Sequence, residues 1–235
     1  MRFEGPWLEG RLVRRYRRFL ADVQLDHGVT ITAHTPNTGS LKGCAEPGLR
    51  VWVRDTGDRK RKYRYSWERV EVASGVLVGI HTGHSNRLVR ETVEAGKVPS
   101  LRGYRRIRGE VRYGRERSRI DLLLEADDRP LCFVEVKNVT LVEGGVARFP
   151  DAVSVRGQKH LRELLAVVRQ GGRGVLFFCI QRADAREFRP ADDIDPDYGR
   201  LLRQALAGGV EVLAWRARVS VDEIALDRPV PVVCP

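Results

Sequence analysis

Asp121, Glu135 and Lys137 are the residues whose types and spacing can do chemistry together. They lie in the stretch Arg119 to Lys137, where two apolar runs, Ile120 to Leu124 and Leu131 to Val136, flank Ala126-Asp-Asp-Arg-Pro130. That polar segment ends in proline and reads as a turn, so the stretch is predicted to be a hairpin. A turn centred near Asp128 pairs Asp121 with Glu135. Cross-strand partners have Cβ atoms roughly 4.5 to 5.5 Å apart, and strand alternation returns Lys137 to the Glu135 face. Two carboxylates and an ammonium on one patch suit Mg²⁺ (or Mn²⁺), a hard cation that takes oxygen ligands. The lysine would orient an attacking water or offset phosphate charge. Charges alternating on an exposed sheet face give the same pattern. Here both runs are otherwise apolar, as in strands covered on both faces, where unpaired charge is costly.

The elements that must position this hairpin change character along the chain. The first 80 or so residues read as short strands with turns: Trp7 to Arg14, Phe19 to Leu25, Val29 to His34, Leu49 to Arg54, Trp67 to Val72 and Val76 to Ile80. Asp26-His27-Gly28 and Asn37-Thr38-Gly39 are turn signals, and the spacing predicts a small barrel or sandwich. After His81-Thr-Gly83 the pattern turns helical. Ser85 or Asn86 would cap a helix through Leu88, Thr92 and Val93, placing Glu91 and Glu94 where one can reach the hairpin. A strand at Gly109 to Tyr113 leads into the hairpin. Ser154 then caps a helix with Leu161, Leu164, Leu165 and Val168 at helical spacing, and Gln158 sits on its inward edge. Val175 to Ile180 is a central strand, Asp195-Pro196 opens another helix, and Val210 to Trp215 is a further strand. Helices interleaved with strands predict an α/β domain with a mixed central sheet. The division falls at residues 1–82 and 83–235.

Charge and cysteine usage bound the partners and the compartment. The chain of 235 residues carries a formal net charge of +11, and only six of its 42 basic residues are lysines. Net positive charge points to a polyanion, and arginine binds phosphate bidentately, although a GC-rich genome also favours arginine. Two clusters stand out: Arg11, Arg14, Arg15, Arg17 and Arg18, then Arg59, Lys60, Arg61, Lys62 and Arg64, each with an interleaved tyrosine. Basic groups that track phosphates beside aromatic faces that stack bases are how small barrels hold single strands, while charged strand edges also block aggregation. DNA without sequence preference is the expected partner, because no helix-turn-helix pattern stands out. Cys44, Cys132, Cys179 and Cys234 show no metal spacing and read as reduced thiols of a cytoplasmic protein. No apolar run approaches membrane-spanning length. A separate set, His34, Asn37 and Lys42, offers a small-molecule or RNA enzyme reading, but Asn-Thr-Gly there is accounted for by its turn.

The chain resembles the bacterial sugar fermentation stimulation protein A family over nearly its full length. The resemblance is carried by Arg14-Arg-Tyr-Arg-Arg-Phe-Leu-Ala-Asp-Val23, His34-Thr-Pro-Asn-Thr-Gly39, Glu110-Val-Arg-Tyr-Gly114 and Ser118-Arg-Ile-Asp121. It continues through Glu135-Val-Lys-Asn-Val-Thr-Leu141, Phe149-Pro-Asp-Ala-Val153 and Arg156-Gly-Gln-Lys-His-Leu-Arg-Glu-Leu164. It implies an N-terminal OB-like small β-barrel followed by a PD-(D/E)XK nuclease-like domain, nonspecific DNA binding, and a link to maltose and other sugar catabolism. Asp121, Glu135 and Lys137 match the nuclease signature, and Gln158-Lys159 stands where related nucleases often carry a helix glutamine. Arg119 and Ile120 stand where the signature's proline is usual. Two functions follow: a Mg²⁺-dependent nuclease, or a non-catalytic DNA-binding regulator that retains the nuclease scaffold.

Overall fold

The computed structural model describes residues 1–3, 5–58, 60–114 and 118–235. The N-terminal third forms strands β1 (Trp7–Tyr16), β2 (Leu20–Leu25), β3 (Thr30–His34), β4 (Arg50–Asp55), β5 (Tyr65–Glu71) and β6 (Leu77–Gly79). β1 pairs with both β2 and β4, β4 pairs with β5, and β3 closes the ring by a parallel contact with β5, so five strands make a closed barrel. The alternating residues Leu12, Val23, Val51, Trp67 and Val70 fill its interior. A register shift between Leu12 and Arg14 bends the long β1 around the barrel. Gly10 lies where a Cβ would come within 2.3 Å of the Gln24 carbonyl, so only glycine permits that close strand approach.

The rest of the chain comprises α1 (Gly83–Glu94), β7 (Arg106–Tyr113), β8 (Ser118–Glu125), β9 (Cys132–Val139), β10 (Val142–Glu143), β11 (Val146–Phe149), α2 (Val155–Arg169), β12 (Arg173–Ile180), β13 (Glu187–Pro190), α3 (Pro196–Ala207), β14 (Glu211–Val219) and β15 (Ile224–Pro229). Six strands form a mixed sheet in the order β15-β14-β12-β9-β8-β7, with β9, β12 and β14 parallel and the others antiparallel. α1 covers one face, packing Leu88 and Val89 on Leu122, Val134 and Phe177. α2 and α3 cover the other, packing Leu161, Leu164 and Leu202 on Leu123, Leu176 and Phe178. β12, covered on both sides, is therefore a run of apolar residues.

The predicted α/β class and the barrel are both present. Three short strands (β10, β11, β13) that form a separate sheet, and the edge strand β15, were not predicted. Their sequences are too short or too charged to show a period, and pairing partners distant in sequence define them. Ser154 and Asp195 cap α2 and α3 as expected, accepting from Gly157 N and Tyr198 N. α1 departs from expectation: it begins at Gly83, so Ser85 and Asn86 lie inside it and their side chains go elsewhere. Cys44, Cys132, Cys179 and Cys234 are free thiols. No described helix is long and apolar enough to cross a membrane.

Candidate active site

The hairpin has the predicted register. β8 and β9 pair through Leu122↔Val134, Leu123↔Phe133 and Leu124↔Cys132, which puts Asp121 and Glu135 at the next step. The ladder stops there because Asp121 takes over: its Oδ2 accepts the Val136 N–H at 2.7 Å and its Oδ1 accepts the Asn86 amide from α1 at 2.7 Å. β7 is irregular at the same level. Glu110 lies between the pairs Gly109↔Leu122 and Val111↔Ile120 with φ of 56°, a left-handed conformation that a glutamate adopts only when its surroundings enforce it. The backbone on both sides of Asp121 therefore opens, and the carboxyl occupies the gap.

Glu135 projects toward α2 and is almost completely enclosed. Its Oε1 accepts the Lys137 ammonium at 2.7 Å and the His160 imidazole, and Lys137 Nζ lies 3.0 Å from His160 Nδ1. Its Oε2 is buried with no hydrogen-bond partner among the described residues, as are the hydroxyls of Tyr113 and Tyr198. Burial alone would raise the Glu135 carboxyl, but the Lys137 charge and the His160 hydrogen bond hold it below the usual range. Asp121 moves the other way. Burial, reinforced by the Glu135 charge, pushes it up to about 7 against the pull of Val136 N–H, Lys137 and Asn86. Burial and then the charges of Glu135, Glu163 and Asp121 also raise the Tyr113 phenol. Asp121 is held by Asn86 of α1 and Glu135 by His160 of α2, so the two carboxyls meet only through their charges, and the unmatched oxygen of Glu135 is a donor that a hard divalent cation can take.

With this geometry in view, the relatives decide the family. Residues 13–80 match the family described as the SfsA N-terminal OB domain, and residues 83–223 match the sugar fermentation stimulation protein RE domain. A sugar fermentation stimulation protein homolog of Geobacter sulfurreducens is 60% identical, the alignment covering 97% of each chain. That of Alkalilimnicola ehrlichii is 56% identical over 100% of both chains. This chain belongs to the sugar fermentation stimulation protein family. The solved structure of Pyrococcus furiosus SfsA in complex with Ca²⁺ superposes with a TM-score of 0.89 at 31% identity, over 99% of this chain and 98% of that one.

Within this family fold, Glu135 and Lys137 are in direct contact, and Asp121 is their register neighbour, held by its own partners. Gln158 does not join them. Its amide donates to Asp195, at 3.0 and 3.3 Å, so it ties α2 to the cap of α3. The inward edge on which Gln158 lies faces α3 rather than the sheet. His160, two residues on, meets Glu135 instead. Neither Glu91 nor Glu94 reaches the site: Glu91 pairs with Arg87 and the N-terminal amine, and Glu94 with Arg90. Asn86 supplies the α1 contact. Ser85 donates to Asn138 at 2.9 Å, and Gln181 donates to Asn138, to Ser85 and to the His81 carbonyl, which links the sheet to the start of α1.

The basic clusters divide on inspection. Arg14 is paired with Asp22, Arg64 with Asp55, and Arg11 donates to the Gly48 carbonyl. Arg15 donates to the carbonyls of Arg18, Asn37, Gly39 and Ser40, so it is a clamp on the loop after β3. Arg17, Arg18, Lys60, Arg61 and Lys62 are side chains without an ion pair among the described residues, and Arg59 lies outside the described residues. Tyr63 lies under Lys62, and His34 stacks on Tyr63 at 6.2 Å with Phe19 beside it at 5.8 Å. Asn37 donates to the Ile80 carbonyl and accepts from Gly39 N, and Lys42 pairs with Glu143, so these two are loop and interdomain contacts.

Sequence reasoning also passed over Glu68, His81 and His84, one donor atom of each lying within 4.8 Å of the others, a set able to hold a metal ion. Burial would raise Glu68, but the His84 hydrogen bond and the charges of His81, His84 and Arg54 bring it to about 2. Burial lowers His81 to about 4. The His81-x-x-His84 spacing was the available signal. The carboxylate comes from a strand 13 positions earlier, which no local pattern reveals.

Proposed function

We propose that this chain binds DNA without sequence preference and carries a metal-dependent phosphodiester-cleaving site on Asp121, Glu135 and Lys137. Residues 1–82 would serve as the nucleic-acid-binding domain and 83–235 would carry the site. The observation behind the reading is the buried, unpartnered Oε2 of Glu135, together with an Asp121 carboxyl whose ionisation burial and the Glu135 charge oppose. Mg²⁺ or Mn²⁺, held by Asp121 and Glu135, would supply charge neutralisation at a phosphate and an acidified water. The protein's own groups do the remaining work. His160 and Lys137 fix Oε1 of Glu135, which leaves Oε2 as its free donor. The Lys137 ammonium has further N–H bonds to direct at a water or a phosphate oxygen. Asn86 and the Val136 N–H hold Asp121 in one orientation. The unpaired cations around the β4–β5 loop and the β1–β2 turn would track the phosphates, with the Phe19, His34 and Tyr63 rings available for base stacking. The Pyrococcus furiosus relative was solved with Ca²⁺, an ion of the same oxygen-ligand class. Four free thiols fit a cytoplasmic setting, and the family name ties the activity to sugar catabolism.

A second reading has its own support. Lys137 already offsets the Glu135 charge within the chain and His160 hydrogen-bonds the same oxygen, as a retained scaffold of a non-catalytic regulator would require. Purified protein incubated with supercoiled, linear duplex and single-stranded DNA in Mg²⁺, Mn²⁺ or chelator separates the two. The nuclease reading expects metal-dependent cleavage that Asp121→Asn abolishes while affinity in chelator persists. If every DNA form stays intact with every metal, the regulator reading stands.

A further inference from the structure

The start of α1, the residue before its cap and β5 together bring a second set of donors that the carboxylate site does not use. His81 and His84 stack with ring centroids 4.0 Å apart and planes 16° from parallel. Glu68, fully buried on β5, approaches His84 Nε2 with its Oε2 at 2.7 Å. A buried His81 nitrogen, Nδ1, has no hydrogen-bond partner among the described residues. The other oxygen of Glu68, Oε1, is held by the Arg54 guanidinium at 3.3 Å. Phe3 closes one side, edge-on to His84 at 4.9 Å.

We propose that Glu68, His81 and His84 form a divalent-metal site of the zinc class that fastens the first turn of α1 to the barrel. Two imidazoles and one carboxylate are a donor set for Zn²⁺ or Co²⁺, whereas Mg²⁺ prefers oxygen alone. In a tetrahedral shell with bonds of about 2.0 to 2.1 Å, ligand atoms sit roughly 3.3 Å apart. The present donors, all within 4.8 Å of one another, need only small shifts. On metal entry the His84–Glu68 hydrogen bond breaks: Nε2 and Oε2 each turn a lone pair to the ion, and the N–H of the neutral His84 ring resides on Nδ1. Arg54 is the outer contact that orients the carboxylate. The side chain of His84, partly exposed, gives an entry path. The site differs from the carboxylate pair in ligand chemistry and place. Its consequence reaches that pair, because the next residues of α1, Ser85 and Asn86, contact Asn138 and Asp121.

The test uses the full chain, stripped by chelator and titrated with Co²⁺. One equivalent should give the visible absorption of a low-coordinate cobalt centre, displaced by Zn²⁺ and unaffected by excess Mg²⁺. Arg54→Ala should weaken binding about 10-fold to 100-fold, and His81→Ala and His84→Ala should weaken it further. The wild type supplies a reading that does not depend on variant folding. The chain has five histidines, and Zn²⁺ should move the imidazole NMR signals of His81 and His84 while sparing His27, His34 and His160. Failure to take up Co²⁺, unchanged affinity in both histidine variants, or Zn²⁺ shifts confined to His160 would each overturn the proposal.

Discussion

Glu135 is bound twice on one oxygen and by no described residue on the other, and that asymmetry sets what single substitutions will do. Lys137 and Glu135 have side chains only 12% and 3% exposed, so Lys137→Ala leaves a buried carboxylate short of its cation. It should cost about 3 to 5 kcal/mol in urea unfolding. A divalent cation that binds only the folded chain stabilises it, by roughly 2.7 kcal/mol at 100 times Kd. Mg²⁺ or Mn²⁺ should therefore raise the wild-type Tm and leave that of Asp121→Asn unmoved. Gln158→Ala and His160→Ala form a contrasting pair. The glutamine serves the α2–α3 junction, so its loss should lower Tm and, under the nuclease reading, leave cleavage of supercoiled DNA unchanged, whereas under that reading loss of the histidine should lower it. The sequence placed Glu135 and Lys137 together because strand alternation is rigid. It preferred Gln158 to His160 because helix periodicity shows that a face is inward but not which neighbour it meets.

At the level of elements, two buried aspartates hold strands and helices together by opposite routes. Asp195 caps α3 through Tyr198 N, accepts Ser154 N at 2.8 Å at the start of α2, and receives Gln158. Asp195→Ala should cost about 2 kcal/mol, the upper range for a lost cap, measured by chemical denaturation. Asp22 of β2 gathers Arg14 and Tyr16 from β1 and Thr32 from β3. Burial would raise its carboxyl, but those hydrogen bonds together hold it below the usual range. A folded value below the unfolded one means the stabilisation is complete above about pH 3.9 and is lost as pH falls through the folded value. Asp22→Asn should therefore be less stable than wild type at pH 7, with the two melting curves converging toward pH 2. The caps Ser154 and Asp195 were legible because capping is local. Ser85 and Asn86 look like caps too, yet tertiary partners claim their side chains and the helix starts earlier.

For the whole molecule, the net charge of +11 matters only through the cations left unpaired by the fold. Log affinity for duplex DNA should fall linearly with log salt, at a slope of about −0.9 per phosphate contact. Serine at Arg17, Arg18, Lys60, Arg61 and Lys62 should flatten that slope with the fold intact. Arg15→Ser, which removes a clamp on four carbonyls, should lower Tm instead. The two parts also lock by close approach: a Cβ at Gly79 would meet Gln181 Oε1 at 2.5 Å and Ile224 Cδ1 at 2.9 Å, so a side chain there should separate the barrel from the sheet. By itself the sequence determined the strand-rich first part, the α/β second part and the hairpin register through Leu122↔Val134, because alternation, helix period and turn residues act over a few neighbours. Tertiary structure alone decided which cations remain unpaired, that Asn86 and His160 meet the carboxylates, and that Glu68 reaches His84. Each of those contacts joins elements far apart in the chain, and its energy depends on packing and burial that no local period encodes.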